Sequence, residues 1–276
     1  MLPSVRTGIR KFVEQKLAKL RYLSISWFGG EPLLGYEAIS DLAPYFAYGA
    51  KKHAVRYRAD MTTNGYLLTP ERTRELLAWD IKEFQITVDG LRDQHDVKRP
   101  LKDGGPTFDR IMENLKGMHA LRDDFEVRLR VNFDRDNIER LPEYFRFLKE
   151  VLSADPRFKI GFNAVGQWGG PNDSKLKVLT SSVYCQQHEL RAEAQQVGLP
   201  SESLKRFFLR PGAQICHGTL LGGLNIGADG RLFKCTNHGG MGDDPNVIGR
   251  ICESGAVEID TSRQIRWIAP YYRSDT

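Results

Sequence analysis

The residues able to do chemistry cluster just past short runs of alternating apolar and polar residues. In "LSISWFGGEPLLG" (residues 23–35) the alternation stops at Gly29 and Gly30, and Pro32 fences a carboxylate at Glu31. Two readings are open. The segment is an ordinary tight turn with a charged tip, or the backbone is bare so that a ligand can approach Glu31, since glycine admits contacts that a Cβ would block. His95 and Asp96, after the Asp89-Gly90 step, read as an acid–base pair. Of the four cysteines, Cys216 and Cys235 flank a candidate hairpin, whereas Cys185 and Cys252 read as structural.

These residues need elements to place them. Strands are expected at 22–28, 55–62, 83–89, 126–133 and 158–165, with helices at 6–20, 36–48, 69–79, 106–121, 138–153 and 183–197. Thr69-Pro70-Glu71 marks one helix start, and Asn137 precedes another. Strict alternation of this kind implies parallel strands joined by crossover helices. In "EFQITVD" Phe84, Ile86 and Val88 oppose Gln85, Thr87 and Asp89; in "VRLRVNF" Val127, Leu129, Val131 and Phe133 oppose Arg128, Arg130 and Asn132. The segments 55–62 and 160–165 alternate in the same way. A parallel sheet covered on both faces would be apolar throughout, so the polar set is expected to line a hollow holding water or a polar ligand. A half-exposed antiparallel sheet is the plainer alternative. Gly and polar residues punctuate all five strand ends, where α/β barrels build their active sites. Trp168, Gly169 and Gly170 extend the last of these ends.

From about residue 206 the texture changes. "LNIGADGRLFKC" reads as a hairpin turning at Asp229-Gly230, and a glycine-rich stretch without a long helix follows. The expected division is a barrel over 1–205 and a small module over 206–276. A net charge of +5, with 40 basic residues scattered among 35 acidic ones, gives no nucleic-acid footprint, and no apolar run is long enough for a bilayer. Four cysteines in 276 residues are too few for a secreted disulfide scaffold. A cytoplasmic protein is expected.

The order and spacing of "WFGGEPLL", "TTNGYLL", "QITVDG" and "HDVKR" resemble radical S-adenosylmethionine (radical SAM) enzymes. The spacing Cys216-x13-Gly230-x4-Cys235 is similar to the opening half of the SPASM module of peptide-modifying members. The resemblance implies an α/β fold, a partial (β/α) TIM-like barrel missing its first strand and followed by a hairpin-containing SPASM-like module. It places Gly29, Gly30 and Glu31 at the amino group of S-adenosylmethionine. Thr62, Asn64, Thr87 and Asp89 would lie along the methionine and ribose, and Arg130 at the cofactor carboxylate. Cys216 and Cys235 would be ligands of an auxiliary iron–sulfur cluster, and His95 and Asp96 would fix the loop that bears Arg99. In such enzymes a reduced [4Fe-4S] cluster splits the cofactor, and hydrogen is then taken from the substrate. The implied substrate is a ribosomally made peptide or a protein side chain, in peptide-maturase or sulfatase-maturase fashion, with flavodoxin or ferredoxin as electron donor. The family's Cys-x3-Cys-x2-Cys loop has no counterpart here. Residues 2–20 match the helix after it, and the remaining module cysteines would follow residue 276. The chain is therefore expected to be a piece of a longer enzyme, the alternative being a lineage that has lost its chemistry, and to be inactive by itself. Two other classes stay open: a non-catalytic protein binding S-adenosylmethionine or a leader peptide, and an unrelated barrel lyase or hydrolase using Glu31, Asp89 and His95.

Overall fold

Strands and helices alternate from the first helix to residue 196, as the hydrophobic periodicity predicts. The computed structural model describes residues 1–167, 173–179, 183–201, 217–220, 222–235, 244 and 246–272. In order these form α1 (Pro3–Leu17), β1 (Tyr22–Trp27), α2 (Tyr36–Lys52), β2 (Arg56–Thr63), α3 (Pro70–Ala78), β3 (Ile81–Thr87), α4 (Arg92–Lys98) and α5 (Phe108–His119). There follow β4 (Glu126–Phe133), α6 (Leu141–Leu152), β5 (Phe158–Ala164), α7 (Val183–Gln196), four short strands β6 (Asn225–Ile226), β7 (Arg231–Phe233), β8 (Val247–Ile251) and β9 (Val257–Ile259), and α8 (Thr261–Tyr272). Every expected strand is present to within two residues at each end. Two helices were not expected. The "HDVKR" stretch lies in α4 and at its C-cap, and α8 lies in a region read as free of long helix.

The chain divides into two compact units, one made of Ser24–Leu34 and Arg58–Ser203, the other of Met1–Leu23, Gly35–Tyr57 and Leu204–Thr276. Strands β1 to β5 make one sheet in sequential order, as in a partial β/α barrel, and each pair from β2 to β5 is parallel. The alternation read from sequence decides the faces. Phe84, Ile86, Val127, Leu129, Val131, Phe133, Ile160 and Phe162 are all at most 2% exposed. Their face packs the apolar sides of α5 (Ile111, Met112, Leu115, Met118) and α6 (Leu141, Tyr144, Phe145, Leu148). Each such side chain contributes roughly 1.5–3 kcal/mol by leaving water. The opposite face carries Thr62, Gln85, Arg128, Arg130 and Asn132, all half-buried. The plainer antiparallel alternative is thereby overturned, because crossover helices force the strands to run in one direction.

Thr69 caps α3 as expected, its Oγ1 accepting from the Arg72 amide at 3.3 Å. Asn137 does not cap a helix. A 3-10 turn over Ile138–Arg140 intervenes before α6, and the Asn137 side chain is used elsewhere.

In the other unit the hairpin turns at Asp229-Gly230 as expected, with Gly230 at φ +85° and β6 antiparallel to β7. Helix α1 packs on this small sheet. A Cβ on Gly8 would lie 2.3 Å from the carbonyl oxygen of Cys252, so only glycine permits that approach. The Leu2 amide donates to the Ala228 carbonyl at 3.2 Å. Among the described residues no helix is long and apolar enough to cross a membrane.

Candidate functional site

Parallel strands present all their C-terminal ends on one side, so the loops after β1, β2, β3 and β4 gather there. Glu31 joins the first two. Its Oε1 accepts from the Leu33 amide at 3.0 Å and from Thr63 Oγ1 at 2.7 Å, and its Oε2 accepts from the Asn64 amide at 2.7 Å. An ionised carboxylate has about four lone-pair positions, so one direction remains for a further donor. Beside it the backbone is bare. Gly29 takes φ +145°, and a Cβ built on Gly29 or Gly30 would meet nothing within 4 Å. The charged tip is thus tied down at a loop junction, with open space over the glycines.

The sequence placed Thr62 in this group, and it lies half-buried on the polar face. The threonine that meets Glu31 is its neighbour Thr63, 4% exposed, whose Oγ1 also accepts from the Gly65 amide at 3.1 Å. Asn64 is exposed, and its Oδ1 accepts from the Tyr66 amide at 2.9 Å. From behind, buried Asn114 of α5 donates to the carbonyls of Gly65 and Tyr66 at 2.8 and 2.9 Å, fixing the β2 loop.

Asp89 is the hub of the next two loops. It is 2% exposed, and both carboxylate oxygens are engaged: Oδ1 accepts from the Asn132 amide at 2.7 Å and Oδ2 from Arg99 Nε at 2.5 Å. Asn137, with no measurable exposure, returns the contact. Its Nδ2 donates to the carbonyls of Asp89 and Asn132, and its Oδ1 accepts from the Asp134 amide. Buried His95 takes the fastening role. Its Nδ1 accepts from the Asp89 amide at 3.2 Å, so in the neutral ring Nε2 carries the proton toward Thr107 Oγ1 at 3.1 Å. Thr107 Oγ1 donates in turn to the Arg99 carbonyl at 2.7 Å. Burial, opposed by Asp89, lowers the His95 pKa to about 4. Asp96 accepts from the Thr107 and Phe108 amides at 2.8 Å, closing the loop onto the start of α5.

Arg130 stands beside Thr87 in register across β3 and β4. Thr87 is 9% exposed and Arg130 half-buried. The Arg130 Nε donates to Asn132 Oδ1 at 2.9 Å, and among the described residues no carboxylate forms an ion pair with it. Burial, then the positive charges of Arg128 and Arg99, lower its pKa. A desolvated guanidinium with only a neutral partner is a place for an anion.

The site suits one cofactor and not another. For S-adenosylmethionine the donor set suits its amino-acid end, with a carboxylate at Glu31, bare backbone at Gly29-Gly30 and an unmatched guanidinium at Arg130. For an iron–sulfur cluster it does not. Among the described residues no group of three or more His, Cys, Asp or Glu could hold a metal. Cys235 is a half-buried free thiol, whereas Cys216 and the Trp168-Gly169-Gly170 segment lie outside the described residues.

The sequence signals neither Thr63 nor Asn114 at the site, and it marks Asn137 only as a helix start. Thr63 reaches the Glu31 carboxylate, and Asn114 and Asn137 reach backbone carbonyls of another loop; no local spacing signals such contacts.

Relatives carry the next step. Over 127 residues the chain is 29% identical to the Fe-coproporphyrin III synthase of Methanosarcina barkeri, a stretch covering 46% of this chain and 29% of that protein. Over 125 residues it is 30% identical to the AdoMet-dependent heme synthase of the same organism, covering 45% and 32%. The chain spans less than half the length of the curated relatives it matches. The solved structure of native anSMEcpe with bound AdoMet and Kp18Cys peptide superposes with a TM-score of 0.74 at 15% identity, covering 99% of this chain and 76% of that one. At that identity the likeness is one of fold. The family model of the Radical SAM superfamily matches residues 4–148, from α1 through most of α6 and so across the loops that hold Glu31, Asp89 and Arg130. The chain belongs to the radical SAM superfamily.

Proposed function

We propose that this chain supplies the S-adenosylmethionine site of a radical enzyme that takes hydrogen from a polypeptide substrate. The observation that carries the reading is the half-buried Arg130 guanidinium, without a carboxylate among the described residues, at the same strand ends as the Gly29-Gly30 opening. In this reading Glu31 accepts from the cofactor's ammonium and Arg130 holds its carboxylate. Thr62, Asn64 and Thr87 border the methionine and ribose. Asp89, with both oxygens engaged, acts by holding Arg99 and the Asn132 amide in place. When bound, the cofactor supplies the hydrogen-abstracting chemistry of the superfamily; the chain's residues orient it and limit water around it.

The assembled enzyme would use a [4Fe-4S] cluster and a flavodoxin- or ferredoxin-like donor in the cytoplasm, and the small C-terminal sheet is assigned to a SPASM-like module. The peptide bound in the anSMEcpe structure supports a polypeptide substrate. The two M. barkeri relatives favour a second reading, a tetrapyrrole substrate. The polar face speaks against it, because a flat macrocycle needs apolar walls, and Gln85, Thr87, Arg128, Arg130 and Asn132 offer none.

Calorimetric titration of the 276-residue protein with S-adenosylmethionine tests the assignment. Saturable binding is expected, weakened at least about tenfold by Arg130→Gln, the scale of one lost charged hydrogen bond. Absence of binding, or equal binding by the variant, would overturn it.

A further inference from the structure

Asn132 is bonded to both of the opposite charges at the end of β4. Its amide donates to Asp89 Oδ1 at 2.7 Å, and its side-chain Oδ1 accepts from Arg130 Nε at 2.9 Å. Its carbonyl accepts from the buried Asn137 side chain at 2.9 Å, so the main chain of Asn132 is pinned on both sides. Asp89 has its other oxygen on Arg99. The Asp89 charge favours the protonated form of Arg130. Even so, the ion pair that Asp89 makes is with Arg99, and Arg130 is bonded to the neutral Asn132 instead.

That bond decides where the guanidinium lies. Arg130 and Asn132 share one face of β4 and stand about 7 Å apart by strand geometry. A bond from Nε to the residue two places further on draws the Arg130 side chain along the strand, toward the C-terminal ends where the Gly29-Gly30 backbone is bare. With Nε engaged, the N–H groups of the two terminal nitrogens have no partner among the described residues. They form the planar fork that matches a carboxylate. A carboxamide accepts the Nε proton without cancelling the positive charge, whereas a carboxylate in its place would pair with the guanidinium. The positive charges of Arg128 and Arg99 push against Arg130, so its placement depends on a tether.

We infer that Asn132 is the positioning residue for the cofactor's carboxylate, aiming the Arg130 fork and keeping its charge from being matched within the protein. The inference rests on the cofactor reading given above, in which Arg130 holds that carboxylate. It adds the group that makes the site distinguish a ligand with a carboxylate from one without.

The test compares S-adenosylmethionine with its decarboxylated analogue, which keeps the amine, the sulfonium and the nucleoside. Calorimetric titration of the 276-residue protein gives the ratio of the two dissociation constants. Wild type should favour the carboxylate ligand at least about tenfold, the scale of one charged hydrogen bond. Asn132→Asp, which gives Arg130 an anion of its own, should bring the preference to within about twofold. Asn132→Ala, which releases the guanidinium, should lower it at least about threefold. Asn163→Ala, at the position in register on β5, should keep it. A site that is merely loosened loses both ligands alike and leaves the ratio unchanged. Melting curves show whether each variant folds, and the Ala variant decides where the Asp variant does not. A wild-type preference that survives Asn132→Ala overturns the inference. Failure of the cofactor reading looks different: wild type then binds neither ligand, or both equally, and the inference falls with it.

Discussion

Asn137 Nδ2 donates to the carbonyl oxygen of Asp89 at 2.7 Å, while the Asp89 carboxylate accepts from the Asn132 amide at the same distance. The loops after β3 and β4 are thus stitched in both directions by buried side chains. Asn137→Ala leaves two carbonyls and the Asp134 amide without their partner. Unsatisfied buried polar groups cost about 1–3 kcal/mol each, so a loss of roughly 3 kcal/mol is expected in urea denaturation, as the exposed Arg135→Ala control stays near wild type.

His95 gives the fold a pH dependence with a definite sign. Its pKa falls from the model-peptide value of 6.5 to about 4 on folding. Between those values the unfolded chain binds a proton that the folded one does not. Stability contributed by the neutral ring is full above about pH 6.5, falls as pH drops toward 4, and levels off below that. The span corresponds to about 3 kcal/mol. Burial is the main cause, since it disfavours the charged ring; a protonated ring would also turn an Nδ1 proton against the Asp89 amide. Denaturation midpoints at several pH values should show this slope, and His95→Gln should flatten it.

Glu31→Gln separates the two uses of that carboxylate. An amide places an NH2 against one of the donors that the carboxylate now accepts, costing about 1–3 kcal/mol. Thermal melts should show this loss. Calorimetry should also show weaker S-adenosylmethionine binding than in the equally destabilised Thr63→Ala. Equal binding by the two variants would leave Glu31 with the loop junction alone.

Glycine substitutions distinguish a ligand's space from a packing contact. A Cβ at Gly30 meets nothing within 4 Å, so Gly30→Ala should leave the melting temperature nearly unchanged while reducing cofactor affinity. Gly117 is the contrast, since its Cβ would lie 2.3 Å from Pro70 Cγ. Gly117→Ala is expected to destabilise by about 1–3 kcal/mol through overpacking without changing affinity at matched folded fraction.

The strands and most helices were legible in the sequence because burial imposes their periods locally. Phe84 and Ile86 must alternate with Gln85 and Thr87 wherever β3 lies in the chain. Helix α4 was missed because its seven residues, Arg92–Lys98, carry one buried side chain, His95, too few to make a period. Helix α8 was hidden by a mixed segment, "TSRQIRWIAPYY", with a proline in its last turn. At the site, glycine spacing and strand-end position marked Glu31 and Asp89, but not what their carboxylates bind. Those partners, Thr63, Arg99 and the Asn132 amide, are 10 to 43 residues away along the chain. Sequence spacing records periods within an element; it does not record which loops meet.

The contact between Gly8 and Cys252 sets an order of assembly. Helix α1 precedes every strand of the large sheet along the chain, and the backbone that fits against it follows them all. Val5, which lies beside Gly230, goes without that cover until the hairpin has been made, an apolar surface of the kind that draws chaperones to a nascent chain.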